Sequence, residues 1–405
     1  MLSLCSVRYS YQLFWLPFNS TNMTKKIILM LLSGFIFLTL AEFFFRLDNY
    51  RNRNIETRAC RRQSQRFHHE LVPGTVCRSK YPEWDVEFRV NDLGFRDEDM
   101  TIKKPAGVYR VLLVGDSFTE GESVAEPKTA ANLAEKELTI ETGRKTEVAN
   151  MGVMSYAPTL YYREIKDKGL PLNPDLVVIN VDMSDFQNDY AYAKDMDEDG
   201  NFRNILFQQQ MGQPHVALPA VDSKIKFWLR SNSALYSVVA DRIKQLVRKM
   251  KNLPEPTVFL ANDLNSDPHY ITRSEENAFN PEAWKEISAN LIKIKDLLKQ
   301  EKIPLIVTIY PYGHQAGENE WGKGRVRNGF ESGRIYPSTA AELLVEFGSK
   351  NGIKVVNLVP DFEKAVQTGT GFLYYPQDGH FTEKGHRVMA DKLKEIINDY
   401  LTRDR

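Results

Sequence analysis

Val111-Leu112-Leu113-Val114-Gly115-Asp116-Ser117-Phe118-Thr119-Glu120-Gly121 reads as a buried strand that stops at a glycine and turns at once into a helix. A serine held in such a turn presents its hydroxyl at the carboxyl edge of a sheet. It also aims its backbone N–H where an oxyanion would lie. Gly115 and Gly121 allow close backbone approach around it. Asp116 reads as a brace for the turn rather than as a base.

Outward from this stretch, short apolar runs alternate with helical patterns. Strands are expected at 109–114 (YRVLLV), 146–150, 175–181 (DLVVINV), 304–310 (PLIVTIY) and 354–358. The near-continuous apolar character of 175–181 fits a strand buried on both faces. Helices are expected at 129–142, 158–168, 233–250, 281–301 and 383–401, with Asn280 and Thr382 as N-caps of the last two. Alternation of this kind argues for an α/β fold with a doubly wound, mostly parallel sheet. Residues 190–285 read as a helical insertion capping the sheet edge. Residues 47–107 read as a polar, basic stalk or cap, with a short strand at 86–90 and a linker at 103–107.

A serine nucleophile needs a base, normally histidine, and the histidine needs an orienting acid. Tyr374-Tyr375-Pro376-Gln377-Asp378-Gly379-His380-Phe381-Thr382 offers both just before the final helix. Asp-x-His alone is a weak signal, because a capping aspartate beside a surface histidine gives the same letters.

Together these segments resemble the SGNH (GDSL-type) hydrolase family over about residues 86–402. Gly115-Asp116-Ser117 resembles the block that holds the nucleophile. Asn150-Met151-Gly152-Val153 resembles the block whose glycine lends an oxyanion N–H. Asp378-Gly379-His380 resembles the block with acid and base. The resemblance implies a three-layer α/β/α, flavodoxin-like sheet over residues 108–405. It implies Ser117, His380 and Asp378 as catalytic residues and an acyl-enzyme mechanism without metal or organic cofactor. The family's third block, Gly-x-Asn-Asp, is altered here to Asp182-Met183-Ser184-Asp185-Phe186-Gln187-Asn188-Asp189. By strand length Ser184 stands where the oxyanion Asn belongs; alternatively Asn188 curls back to supply the amide. The oxyanion set is thus Ser117 and Gly152 with Ser184 or Asn188. The acid and base are also one residue closer than in many members of the family.

Residues 27–45 (IILMLLSGFIFLTLAEFFF) follow Lys25-Lys26 and are long enough for a transmembrane helix. The run ends in Phe-Phe-Phe-Arg, a poor cleavage site, so an uncleaved signal anchor is expected within residues 1–46. Met23-Thr24-Lys25-Lys26 would make a normal start for such an anchor. Lys25-Lys26 favour the N-terminus inside, whereas Arg46, Arg51, Arg53, Arg58, Arg61 and Arg62 count the other way. The resemblance to exported proteins favours an extracytoplasmic domain. In that compartment Cys60 and Cys77 can pair; otherwise they are two half-buried thiols.

The 405 residues carry 53 basic and 53 acidic side chains, a balance that gives no reason to expect nucleic acid. No Cys/His cluster has metal-ligand spacing. The resemblance implies as substrate an acylated, foremost O-acetylated, cell-envelope carbohydrate or a lipid. The motifs do not separate a hydrolase from an O-acyltransferase. A silent glycan-binding module of the same fold is the rival from outside enzymology. Trp84, Trp228, Trp321, Tyr312 and Tyr374 are candidates for stacking on sugars. His386 reads as packing in the last helix, and His314 as a loop histidine at the catalytic edge.

Overall fold

A computed structural model describes residues 23–52, 60–202, 236, 270–272, 281–369 and 371–403. It comprises two units, one containing helix α1 (Met23–Asn52) and the other the sheet domain. Along α1, apolar side chains including Leu29, Leu31, Phe35, Phe37, Leu40 and Phe44 are exposed. Among the described residues, however, no helix is long and apolar enough to cross a membrane. The segment expected to be a transmembrane helix, residues 27–45, is helical throughout.

The segment read as a stalk or cap is ordered. Strands β1 (Arg61–Ser64) and β2 (His68–Leu71) form one antiparallel hairpin, and β3 (Val76–Tyr81) and β4 (Trp84–Arg89) form another. The second closes through the two-residue turn Pro82-Glu83, which pairs Tyr81 with Trp84. Phe88, Val90 and Phe95 are buried in the same core as Val111–Val114 of the sheet. Polar composition concealed this, because the first hairpin buries Arg61, His68 and His69 and only one face of the second, with Cys77 and Phe88, is apolar. Cys60 and Cys77 are joined in a disulfide that ties β3 to the start of the domain.

The main sheet has five parallel strands: β5 (Tyr109–Gly115), β6 (Thr146–Gly152), β7 (Leu176–Val181), β8 (Leu305–Ile309) and β9 (Lys354–Asn357). Their order is β6-β5-β7-β8-β9. The five strands expected from sequence differ from these by one or two residues at their ends. Every residue of β5 and β7 is buried, because helices cover both faces. Helix α2 (Ser117–Glu120) follows β5 directly, and α3 (Ala130–Thr142) leads on to β6. After β6, α4 (Pro158–Glu164) precedes β7 and α5 (Asp185–Asp195) follows it. Helix α6 (Pro281–Gln300) enters β8. Beyond β8 come α7 (Gly313–Ala316), α8 (Gly322–Arg327) and α9 (Thr339–Asn351), then β9, α10 (Val359–Thr368) and α11 (Glu383–Arg403).

Helix α3 packs against α11, while α6 packs against α4 and α5. The chain steps one way from β5 to β6 and the other way from β6 to β7. Right-handed crossovers then put α3 and α4 on opposite faces. The reversal opens a crevice between the carboxyl ends of β5 and β7, where open α/β sheets hold their ligands. Ser117 lies at one lip of it and Asp182 at the other. The expected helix at 233–250, the N-cap Asn280 and most of the 190–285 insertion lie outside the described residues.

Candidate active site

The turn after β5 is organised by its own side chains. Asp116 caps α2, accepting the Phe118 N–H at 3.0 Å. Ser117 keeps 8% of its surface exposed, and among the described residues its N–H has no hydrogen-bond partner. Beneath the turn, the buried Arg96 guanidinium donates to the carbonyls of Glu120, Gly121 and Val124, which a short helix leaves open at its end. Phe88 lies against that guanidinium at 4.6 Å, and Arg61 forms a buried ion pair with Glu120. The N-terminal hairpins thus hold the nucleophile turn from outside the sheet.

His380 Nε2 lies 2.8 Å from Ser117 Oγ, and His380 Nδ1 is hydrogen-bonded to Asp378 Oδ1. The His380 backbone N–H also donates to Asp378 Oδ1, at 3.1 Å. Gly379, at φ +101°, makes the tight reversal that brings acid and base together although only one residue separates them. Phe118 packs on the imidazole at 4.8 Å. Burial works to lower the His380 pKa, but the charge and hydrogen bond of Asp378 outweigh it and the net shift is upward. Burial would raise Asp378, yet the adjacent imidazole holds it below the usual carboxylate range. The arrangement can withdraw a proton from Ser117 and stabilise the resulting imidazolium.

On the oxyanion side the expected donors other than the Ser117 N–H are engaged in hydrogen bonds of their own. The Gly152 N–H donates to Asn150 Oδ1 at 3.1 Å, so it is engaged within its own strand end. Glycine is required there for another reason: a Cβ would overlap the Glu120 backbone, so α2 could not lie against β6. Ser184 Oγ donates to Asp182 Oδ1 at 2.8 Å, and Asn188 Nδ2 donates to Ser184 Oγ at 3.3 Å. Both candidates for the third donor therefore belong to one chain of hydrogen bonds that ends on Asp182.

Asp182 belongs to a group that sequence reasoning missed. Carboxylate oxygens of Asp116, Asp182 and Asp185 all lie within 4.8 Å of one another, fully buried behind Ser117. Three buried phenols donate into them: Tyr310 to Asp116 at 3.3 Å, Tyr312 to Asp182 at 2.9 Å, and Tyr161 to Asp185 at 3.1 Å. Burial, with Asp182 alongside, drives the carboxyls of Asp116 and Asp185 well above the ordinary range. Like charges this close share protons instead of ionising together. The signal in the sequence was the pair of aspartates at the end of β7, three residues apart.

Tyr312, Trp321 and Tyr374 are buried, so they pack rather than stack on sugars, and Tyr374 Oη donates to the Pro311 carbonyl. Trp84 is half-buried against Tyr375, and Trp228 lies outside the described residues. His314 is buried, stacked on Phe330 at 4.0 Å and 2.8 Å from Thr272 Oγ1. His386 is buried too, and burial, with Arg96 and His380 nearby, pushes its pKa down to about 3.

No family model and no curated protein matches the chain. Among solved structures it is similar to the acetyl xylan esterase AlAXEase at 12% identity, covering 71% of this chain and 99% of that one, with a TM-score of 0.38. It is similar to a protein of the lipolytic G-D-S-L family from Desulfitobacterium hafniense, at 11% identity, 71% and 98% coverage and a TM-score of 0.35. A catalytic mutant of Axe2, an acetylxylan esterase from Geobacillus stearothermophilus, stands at 11% identity, 71% and 93% coverage and a TM-score of 0.36. Likeness at these scores assigns no role to any residue of this chain, and the functional reading rests on the geometry of Ser117, His380 and Asp378.

Proposed function

We propose that the chain is a serine ester hydrolase of the SGNH type, acting on acyl groups, foremost O-acetyl groups, of a cell-envelope glycan or a lipid. The observation that carries this reading is the 2.8 Å approach of His380 Nε2 to Ser117 Oγ, with Asp378 on the other ring nitrogen. His380 takes the hydroxyl proton as Ser117 Oγ attacks the ester carbonyl carbon. The carbonyl–alkoxy bond then breaks, and the leaving alkoxide receives that proton from His380. Water repeats the sequence on the acyl-serine and releases the acid. The Ser117 N–H faces the developing charge, and further donation from Asn188 or Ser184 requires their chain of bonds to Asp182 to open. A sugar hydroxyl in place of water would make the same residues an O-acyltransferase.

An extracytoplasmic location, with the domain tethered to the membrane by α1, belongs to the same proposal. The Cys60–Cys77 disulfide supports an oxidising compartment. The exposed apolar side chains of α1 support attachment to lipid. Fractionation of cells carrying a C-terminal reporter tests both, and a reporter active in the cytoplasm with the cysteines reduced would refute them.

The engaged Gly152 and Ser184 donors favour a second reading, a binding module of this fold without turnover. Hydrolysis of a chromogenic acetate ester and labelling by an organophosphonate probe separate the two. Turnover and labelling that both vanish in Ser117→Ala support the hydrolase. A folded protein that is inert and unlabelled supports the binding module.

A further inference from the structure

We infer that Glu83 is a positioning residue for the acid–base loop, holding Asp378, and through it His380, within reach of Ser117. The inference rests on the hydrolase reading above. Asp378 and His380 stand on an irregular segment between α10 and α11, and its backbone groups must find partners outside regular structure. Some bonds lie within the loop: Tyr375 N–H to the His380 carbonyl at 2.8 Å and Gly379 N–H to the Tyr375 carbonyl at 3.1 Å. On its outer side the Pro376 carbonyl accepts the Lys323 and Gly324 N–H groups at 2.9 and 2.8 Å. The consecutive N–H groups of Gln377 and Asp378 both converge on the Glu83 carboxylate. Gln377 donates at 2.9 and 3.1 Å and Asp378 at 2.9 Å.

A carboxylate suits this position because it is all acceptor, and bonds from N–H groups to an anion are stronger than neutral ones. Glu83 is itself firmly mounted. It occupies the two-residue turn between β3 and β4, and the disulfide fixes β3. Trp84 Nε1 donates to Ser79 Oγ at 2.8 Å, and the Trp84 ring packs on Tyr375 of the loop at 5.0 Å. Removing the carboxylate leaves two adjacent amides without their acceptor directly before the acid. The loop then drifts while the Ser117 turn, held by other residues, stays in place.

Glu83→Ala and Glu83→Gln in the full-length protein test this by two independent readouts. The first is steady-state hydrolysis of a chromogenic acetate ester. Displacing an acid–base pair by about 1 Å costs on the order of 10²-fold, so kcat should fall by about 10–100-fold in Glu83→Ala with KM nearly unchanged. Glu83→Gln, which keeps one acceptor oxygen, should recover part of the loss. The second is the low-field proton resonance of the His380–Asp378 hydrogen bond, which requires no turnover. It should shift or broaden in Glu83→Ala, remain in Ser117→Ala and be intermediate in Glu83→Gln. If Glu83→Ala unfolds, Glu83→Gln carries the test alone. An unchanged resonance and kcat in a folded Glu83 variant would overturn the inference. A wild type that is inert, with a resonance still lost in Glu83→Ala, would sink the hydrolase reading and leave the positioning role standing.

Discussion

The nucleophile turn and the acid–base loop meet within 2.8 Å but are built in different ways. The turn grows out of β5: Asp116 caps it, Arg96 closes it and the sheet fixes its origin. The loop leaves no strand of the main sheet, and its geometry comes from Gly379, from α8 beside it and from a hairpin at the other end of the chain. Both halves lean on the N-terminal hairpins, but the turn also has a buried strand behind it, whereas the loop has none. Perturbations should therefore act unequally on the two halves.

The largest effect should come from the turn. Ser117→Ala should abolish ester hydrolysis, with a loss of about 10⁴-fold or more, while melting temperature is preserved. Retained turnover in that variant would remove Ser117 from the mechanism. In the loop, Asp378→Asn should lower kcat/KM by about 10²–10⁴-fold. The pH profile should move with it. Asp378 raises the His380 pKa against burial, so the neutral base of the wild type accumulates only above the ordinary imidazole range. Without that charge burial dominates, and the rising limb should shift to lower pH.

Between the two sits the disulfide. Replacing Cys60 and Cys77 by serine should cost about 3 kcal/mol in unfolding free energy, as expected for a loop of this length. Ester turnover and Ser117 labelling, which both need His380 as base, should fall together, because the hairpin steadies the loop that carries it. Unchanged turnover in the folded double variant would show that the disulfide does not reach the loop.

The smallest effects should come from the acidic group behind Ser117. Tyr312→Phe removes one donor from Asp182 and should destabilise by about 1–3 kcal/mol. Burial raises the pKa of Asp116 and Asp185 in the folded state. Their contribution to stability is complete below the unfolded value of about 4 and is lost as pH climbs through the folded values. Asp378, shifted downward, acts in the opposite sense at acid pH. Thermal unfolding across pH should therefore show an alkaline-side loss that Asp185→Asn reduces.

The same division explains what could be read from the letters. The five strands, the helices at 130–142, 281–300 and 383–403 and the Gly-Asp-Ser turn are local patterns of period and punctuation, and they stand where expected to within a residue or two; α4 ends four residues short of its expected end, and α5, α9 and α10 were not anticipated. Asp378-Gly379-His380 was legible as a candidate because acid and base are neighbours in sequence. Glu83 was not, since a glutamate in a Pro-Glu turn gives no hint of a partner 294 residues away. Nor was the fate of Gly152, whose amide is engaged and whose missing Cβ serves packing. The altered third block was visible, but Ser184 bonding back to Asp182 depends on how α5 begins, and composition says nothing of that.

The hairpin bearing Glu83 also sets an order of events. During synthesis it emerges early, and the disulfide can close as soon as Cys77 meets oxidant. The segment it must grip arrives only some 294 residues later. Until then the domain holds an exposed serine with no base to activate it. Chains cut short before Asp378 would lack both acid and base and be inert fragments rather than unregulated enzymes.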